Sequence, residues 1–221
     1  MILAIDTTHE FGSIALLADG ELREEMLLHA ADGFGHILYG HLARMLERHA
    51  CRVEDIECFA GAAGPGSFTG VRIGLACVKG LADAVSRPVV AVSNLQALAA
   101  FGHGPLRATV LDARRGEIYG AVYGAELNLV APEMVMRFPQ WLETLPEGPV
   151  EFVSTGFSPF RAALTGTRFE GAPFVEAPQA IAGAIARIAL VKFQKGLAVD
   201  PADVDANYVR RSDAELFWKE I

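Results

Sequence analysis

Residues 61–80, GAAGPGSFTGVRIGLACVKG, concentrate the residue types that could bind or position a ligand. Gly61, Gly64, Gly66, Gly70 and Pro65 crowd into one short stretch, and Ser67 and Thr69 stand where a helix N-cap belongs. The loop Gly64, Pro65, Gly66, Ser67, Thr69 frees backbone N–H groups at the positive end of a helix. Such groups can hold an anion or let another backbone approach closely. It is not a P-loop, because GxxxxGK[ST] is absent and Lys79 lies well inside the following helix. Asp6 and Asp112 each end an apolar run. A carboxylate there could orient a metal-bound water beside a phosphate, with Thr7 next to it, or cap a hairpin by accepting loop N–H groups. The cap is the favoured reading, which leaves Asp6, Thr7 and Asp112 as the candidates for cofactor contact. No catalytic residue and no metal site are expected. His36 and His41 sit about 140° apart around a helix, so they share no face. No HExxH occurs, and Ser67 sits in G-P-G-S-F rather than GxSxG.

The elements that would carry these residues are legible in outline. ILAID (2–6), SIALLADG (13–20) and ELREEMLLH (21–29) read as a strand meander with a turn at Asp19–Gly20. Residues 36–49 place Leu38, Leu42, Met45 and Leu46 at helical spacing. Residues 56–62 form a buried strand that feeds the glycine loop, 70–86 a long helix, and 88–93 a parallel-type strand, after which Asn94 caps a helix to about Phe101. GHGP (102–105) reads as a boundary. Beyond it ATVLD, ARRGE and IYGAVYG repeat the opening order of strand, polar loop and strand. That repetition predicts two related lobes, 1–103 and 104–221. The second lobe continues with VEFVSTG as a strand and 178–195 as an amphipathic helix with Pro at its start. The tail from Val204 mixes charge with aromatic residues and is expected to pack back on the first lobe.

Bulk properties narrow the function classes. At 221 residues and 52% hydrophobic, the chain can bury a large core, and no apolar run reaches the length of a membrane span. The start MILAIDTTHE reads as a first strand rather than a signal peptide. Cys51, Cys58 and Cys77 are odd in number and lack CxxC spacing, which fits a reducing cytoplasm. The formal charge of −8 counts against nucleic-acid binding by the chain alone, although Arg114–Arg115 and Arg210–Arg211 form local basic pairs.

The glycine notches raise a further question. Gly70, Gly74 and Gly80 thin one side of the 70–86 helix, and interior glycine costs about 1 kcal/mol relative to alanine, so close packing should offset it. The helix pair 36–49 and 70–86 could cover the chain's own sheet. It could also meet the same pair on a partner in a four-helix bundle.

Two lobes that each open on an Asp-terminated hairpin resemble the actin, sugar-kinase and Hsp70 (ASKHA, RNase H-like) α/β fold. GPGSFTGVRIGLACVKGLA resembles the signature of the bacterial TsaB (YeaZ-type) family. ILAIDTT, VVAVSNLQALA, LDARRGEIYGAVY and NYVRR extend the likeness along nearly the whole chain. The resemblance implies a non-catalytic role in making N6-threonylcarbamoyladenosine at position 37 of ANN-decoding tRNAs. It implies pairing with the catalytic paralogue TsaD and with the ATPase TsaE, a homodimer when alone, and contact with tRNA only through the complex. No intrinsic cofactor is implied, and ATP or ADP is placed at the heteromeric interface. Older labels for such chains are glycoprotease-like or M22 peptidase homologue. The competing readings are an active small-molecule kinase or ATPase of this fold and an M22-type metallopeptidase. The resemblance also selects the partner reading of the helix pair, with an interface on Phe34, His36, Leu38, Leu42, Met45, Gly70, Val71, Gly74, Cys77 and Val78. One departure stands out: where the family often has a histidine and then a proline on the first interface helix, an ungapped match places Phe34 and Gly40.

Overall fold

The structure is a computed structural model, and it describes residues 1–210. Arg211 and the remainder of the expected packing tail lie outside the described residues. The chain forms two units. One comprises Met1–Asn94 with Gln179–Asn207, and the other comprises Leu95–Pro178 with residues 208–210. The division thus falls after Asn94 rather than at 103/104, and the helix near 178–195, expected in the second lobe, belongs to the first unit.

Each unit holds a five-stranded mixed sheet. The first contains β1 (Ile2–Asp6), β2 (Phe11–Ala18), β3 (Glu21–His29), β4 (Cys58–Gly64) and β5 (Val89–Ser93), in the order β3-β2-β1-β4-β5. The second contains β6 (Leu106–Asp112), β7 (Ile118–Gly124), β8 (Leu129–Met136), β9 (Val150–Ser154) and β10 (Phe174–Glu176), in the order β10-β9-β6-β7-β8. The two orders are the same pattern. β1 and β6 each pair antiparallel with the next strand and parallel with β4 and β9 respectively. The helices repeat as well. α1 (Leu38–Arg48) and α4 (Phe138–Thr144) follow the third strand of each copy. α2 (Phe68–Ala84) follows β4, and its counterpart after β9 is only a seven-residue 3₁₀ turn, Ser158–Leu164. α3 (Asn94–Ala99) and α5 (Ala182–Gln194) follow the last strands.

Period-two alternation assigns the faces of the first sheet. Leu3, Ile5, Ile14, Leu16 and Phe59 form one core with Leu38, Leu42, Met45, Val71, Leu75 and Val78 of α1 and α2. The opposite face receives α5. Two neighbouring glutamates of β3 pin one helix on each face. Glu24, opposite Leu16, accepts from Arg48 and lies 2.8 Å from His49 Nε2 at the C-terminal end of α1. Glu25, opposite Ala15, accepts from Gly183 N at 2.7 Å in the first turn of α5. Ser13 Oγ accepts from Ile181 N and Ala182 N at 3.1 and 3.0 Å. α5 therefore starts at Ala182, four residues after Pro178, because the sheet supplies its N-terminal partners.

The tightest packing joins the β1–β2 loop to the start of α2. Ser67 N donates to Thr8 O at 2.7 Å, and Thr7 Oγ1 donates to Gly70 O at 2.7 Å. A Cβ on Gly70 would fall inside the van der Waals shell of Thr7 O. One on Gly66 would lie 2.6 Å from Thr8 O, and one on Gly74 would lie 2.6 Å from Thr7 Oγ1. Gly80, by contrast, faces open space. Glycine at 66, 70 and 74 is thus what lets helix backbone touch hairpin backbone.

Two tests follow from this packing. Gly70→Ala should lower unfolding free energy in urea by about 3 kcal/mol, since backbone must move, whereas Gly80→Ala should leave it equal or raise it by up to about 1 kcal/mol. Equal effects at the two sites would contradict the packing. The glutamates should titrate with opposite signs. The Arg48 guanidinium holds Glu24 below its ordinary 4.5, so its contribution is present above that value and is lost as pH falls. Burial pushes Glu25 above 4.5 against the lowering pull of the Gly183 N–H, so its contribution is fully present below 4.5 and declines as pH rises through the folded-state value. Between pH 4 and 7, Glu25→Gln should therefore gain stability relative to the parent as pH rises, and Glu24→Gln should lose it. Slopes of the same sign would refute the assignment.

Candidate functional site

The first hairpin aspartate is turned wholly inward. Asp6 is buried, and its Oδ1 accepts from Thr8 N at 2.9 Å and Thr8 Oγ1 at 2.6 Å, with Asn94 Nδ2 at 3.5 Å. Asn94 Nδ2 donates to Thr8 Oγ1 at 2.6 Å, and its Oδ1 accepts from Gly64 N at 3.0 Å. Asn94 opens α3 as expected. Its side chain does not cap that helix, however, but ties the ends of β1 and β4 together. Thr7 is buried against α2. The glycine loop lies in close contact with the first hairpin. Gly64 and Pro65 are buried, Ser67 and Thr69 are exposed, and Ser67 caps α2 by accepting from Gly70 N at 3.2 Å. The N–H groups of Ser67, Gly70 and Val71 are all spent on this chain.

The second hairpin is open. Asp112 is exposed, and its Oδ1 accepts from Arg114 N at 2.7 Å, the hairpin-capping bond that its position suggested. Arg114, Arg115 and Gly116 then follow one another in the left-handed region, at φ of 63°, 55° and 75°. Each arginine held there costs about 1–2 kcal/mol. Ala113 N donates to Glu117 O and Glu117 N to Arg114 O, both at 3.0 Å. Arg210 braces the turn from beneath, donating to Ala113 O at 2.8 Å and pairing with Glu117. No sequence pattern announced that brace, because the two partners are 97 residues apart.

The helix pair requires a correction. Phe34, Leu38, Leu42, Met45, Gly70, Val71, Gly74, Cys77 and Val78 are buried within the unit, and only His36 of the ten expected interface residues is exposed. Phe34 packs against Gly12, and Gly74 against Thr7. A bulky residue at Gly74 would strike the chain's own hairpin, not a partner. Apolar periodicity marks the stripe that covers the sheet. The outward surface is the complementary stripe, Tyr39, Gly40, Ala43 and Arg44 on α1 with Arg72, Ala76 and Gly80 on α2. Tyr39 is 59% exposed and Phe68 41%. Tyr39 of α1 lies beside Cys77 of α2. The Cys77 sulfur pushes the Tyr39 phenol up, and burial pushes the Cys77 thiol up to about 11, so that thiol is not a nucleophile. Among the described residues, no group of three or more His, Cys, Asp or Glu could hold a metal ion, and no helix is long and apolar enough to cross a membrane.

Comparison with known proteins gives one consistent picture. Residues 29–196 match the family model described as TsaD, tRNA N6-adenosine threonylcarbamoyltransferase. The tRNA threonylcarbamoyladenosine biosynthesis protein TsaB of Bacillus subtilis is 31% identical, with 99% of this chain and 98% of that protein covered. Its Escherichia coli namesake is 37% identical over 58% of this chain and 56% of its own length. The solved structure of YeaZ from Pseudomonas aeruginosa superposes with a TM-score of 0.81 at 25% identity, covering 94% of this chain and 98% of that one. The full-length match and the shared fold agree, and the chain belongs to the TsaB (YeaZ) family of tRNA threonylcarbamoyladenosine biosynthesis proteins.

Proposed function

We propose that this chain is a non-catalytic subunit for threonylcarbamoyl transfer to adenosine 37 of ANN-decoding tRNA, pairing with a TsaD-type transferase and recruiting TsaE in the cytoplasm. Its place in threonylcarbamoyladenosine biosynthesis follows from its family. The observation that carries the non-catalytic role is the sealed first hairpin. A kinase or ATPase of this fold wraps a phosphate with hairpin backbone beside an aspartate that orients metal-bound water. Here Thr7 and Thr8 fill that loop, α2 lies on it, and Asp6 accepts three donors from its own chain. Nucleotide, where it binds, belongs to the joint surface with the partner.

Pairing is assigned to the outward stripe of α1 and α2 rather than to the buried one. Small residues at Gly40, Ala43, Ala76 and Gly80 let a partner helix approach, and Tyr39 offers an exposed aromatic anchor beside them. The same surface would serve a homodimer when the transferase is missing.

The test is reconstitution with the cognate TsaD and TsaE, tRNA and threonylcarbamoyl-AMP. Omission of this chain should abolish modification. The double variant Ala76→Trp, Gly80→Trp should keep the parent circular dichroism and weaken pairing by about tenfold or more, a loss of about 1.4 kcal/mol or more. Undiminished modification without the chain, or undiminished pairing of a folded double variant, would refute the respective claim.

A further inference from the structure

The geometry points to Met26 as a site of oxidation by hydroperoxides, its sulfur made reactive by His41 and Arg44 of α1. Met26 lies on β3, the edge strand of the first sheet, and is partly buried against the core that α1 covers. Its Sδ is 3.2 Å from His41 Nδ1, and the same nitrogen is 3.2 Å from Arg44 Nη2. An arginine N–H can only donate, so Nδ1 is the acceptor and carries a lone pair rather than a proton. Burial, with Arg44 and Arg48 behind it, holds His41 below its ordinary 6.5, which keeps the ring neutral at pH 7. The sulfur thus faces a basic nitrogen that gives it no hydrogen bond, and its lone pairs stay nucleophilic. Arg48 and His49, further along α1, turn to Glu24, whereas Arg44 stands at the Met26–His41 contact.

This arrangement suits the product better than the reactant. A sulfoxide is a polarised, chiral S⁺–O⁻ group. The His41 nitrogen stands against the sulfur, where positive charge develops, and the Arg44 guanidinium is at hand for the oxygen. In the step, the Met26 sulfur attacks one oxygen of the peroxide, and an S–O bond forms as the O–O bond breaks. The sulfur gives up two electrons. The departing hydroxide takes the proton of the transferred hydroxyl and leaves as water. His41 blocks one side of the sulfur, so the oxygen arrives on the other and a single sulfoxide epimer forms. The other methionines are placed differently. Met45 is sealed in the core, Met1 packs against that same core, and Met134 and Met136 pack against the core of the second unit.

The experiment treats the full chain with hydrogen peroxide at neutral pH and follows the sulfoxide at each methionine by peptide mass spectrometry. Met26 should oxidise about tenfold faster than Met134 and Met136, the advantage expected of one charge-assisted hydrogen bond to the developing oxygen. His41→Leu and Arg44→Gln should each bring Met26 down toward the rate of Met134, while Met45 stays unoxidised and so reports an intact fold. Arg44 is exposed, so Arg44→Gln leaves the core alone and decides the matter should His41→Leu fail to fold. Of the two epimer-specific methionine sulfoxide reductases, one should restore the Met26 peptide after digestion and the other should not. A Met26 rate equal to that of Met134 and Met136 would overturn the proposal. So would an unchanged rate in the folded Arg44→Gln chain, or a sulfoxide reduced in equal halves by the two reductases.

Discussion

The contact between Thr7–Thr8 and the glycine-rich start of α2 is the constraint from which the rest of the first unit follows. Peptide groups of a hairpin and a helix come within hydrogen-bonding distance only if the helix presents no Cβ at the crossing, and Gly66, Gly70 and Gly74 meet that requirement. Once α2 lies there, Val71, Leu75 and Val78 fall onto the sheet, α1 packs beside them, and Asn94 links the ends of β1 and β4. The same contact turns the hairpin inward. Its aspartate, its threonine hydroxyls and the Ser67, Gly70 and Val71 N–H groups all bond within the chain.

Duplication makes this more than a local curiosity. Both units carry the same strand order and an aspartate that caps the first hairpin, yet only the first has a long helix after its fourth strand. Shortening that helix to a 3₁₀ turn uncovers the second hairpin. The two copies of one supersecondary unit have therefore diverged by burial: Asp6 is a core residue and Asp112 a surface one. This chain thus buries one hairpin and displays a charged turn on the other while keeping the same strand order in both sheets.

Much of the fold was legible because its punctuation is local. Asp19–Gly20 sets the turn between β2 and β3, Ser67 caps α2, and the apolar run IYGAVYG gives β7 at its observed limits. The long-range bonds were not legible. Ser13 and Glu25 supply the N-terminus of α5 across more than 150 residues of sequence, and that partnership moves the helix into the first unit. The site was misread in one instructive respect. Glycine spacing shows that something approaches α2 closely, but not whether that something is another subunit or the chain's own hairpin. The apolar stripes of α1 and α2 have the same ambiguity, since a face rich in Leu and Met first serves its own sheet. Tyr39, Ala76 and Gly80 on the outward stripe carry no periodic signal of their own.

Amide hydrogen exchange at Thr8, Ser67 and Gly70, with and without Mg-ATP, tests the central claim most directly. If the hairpin is permanently occupied by α2, these amides exchange only through near-global opening and are unchanged by nucleotide. Rapid exchange at all three, or strong new protection on adding Mg-ATP to the isolated chain, would show that the hairpin still opens to a phosphate and would contradict the account.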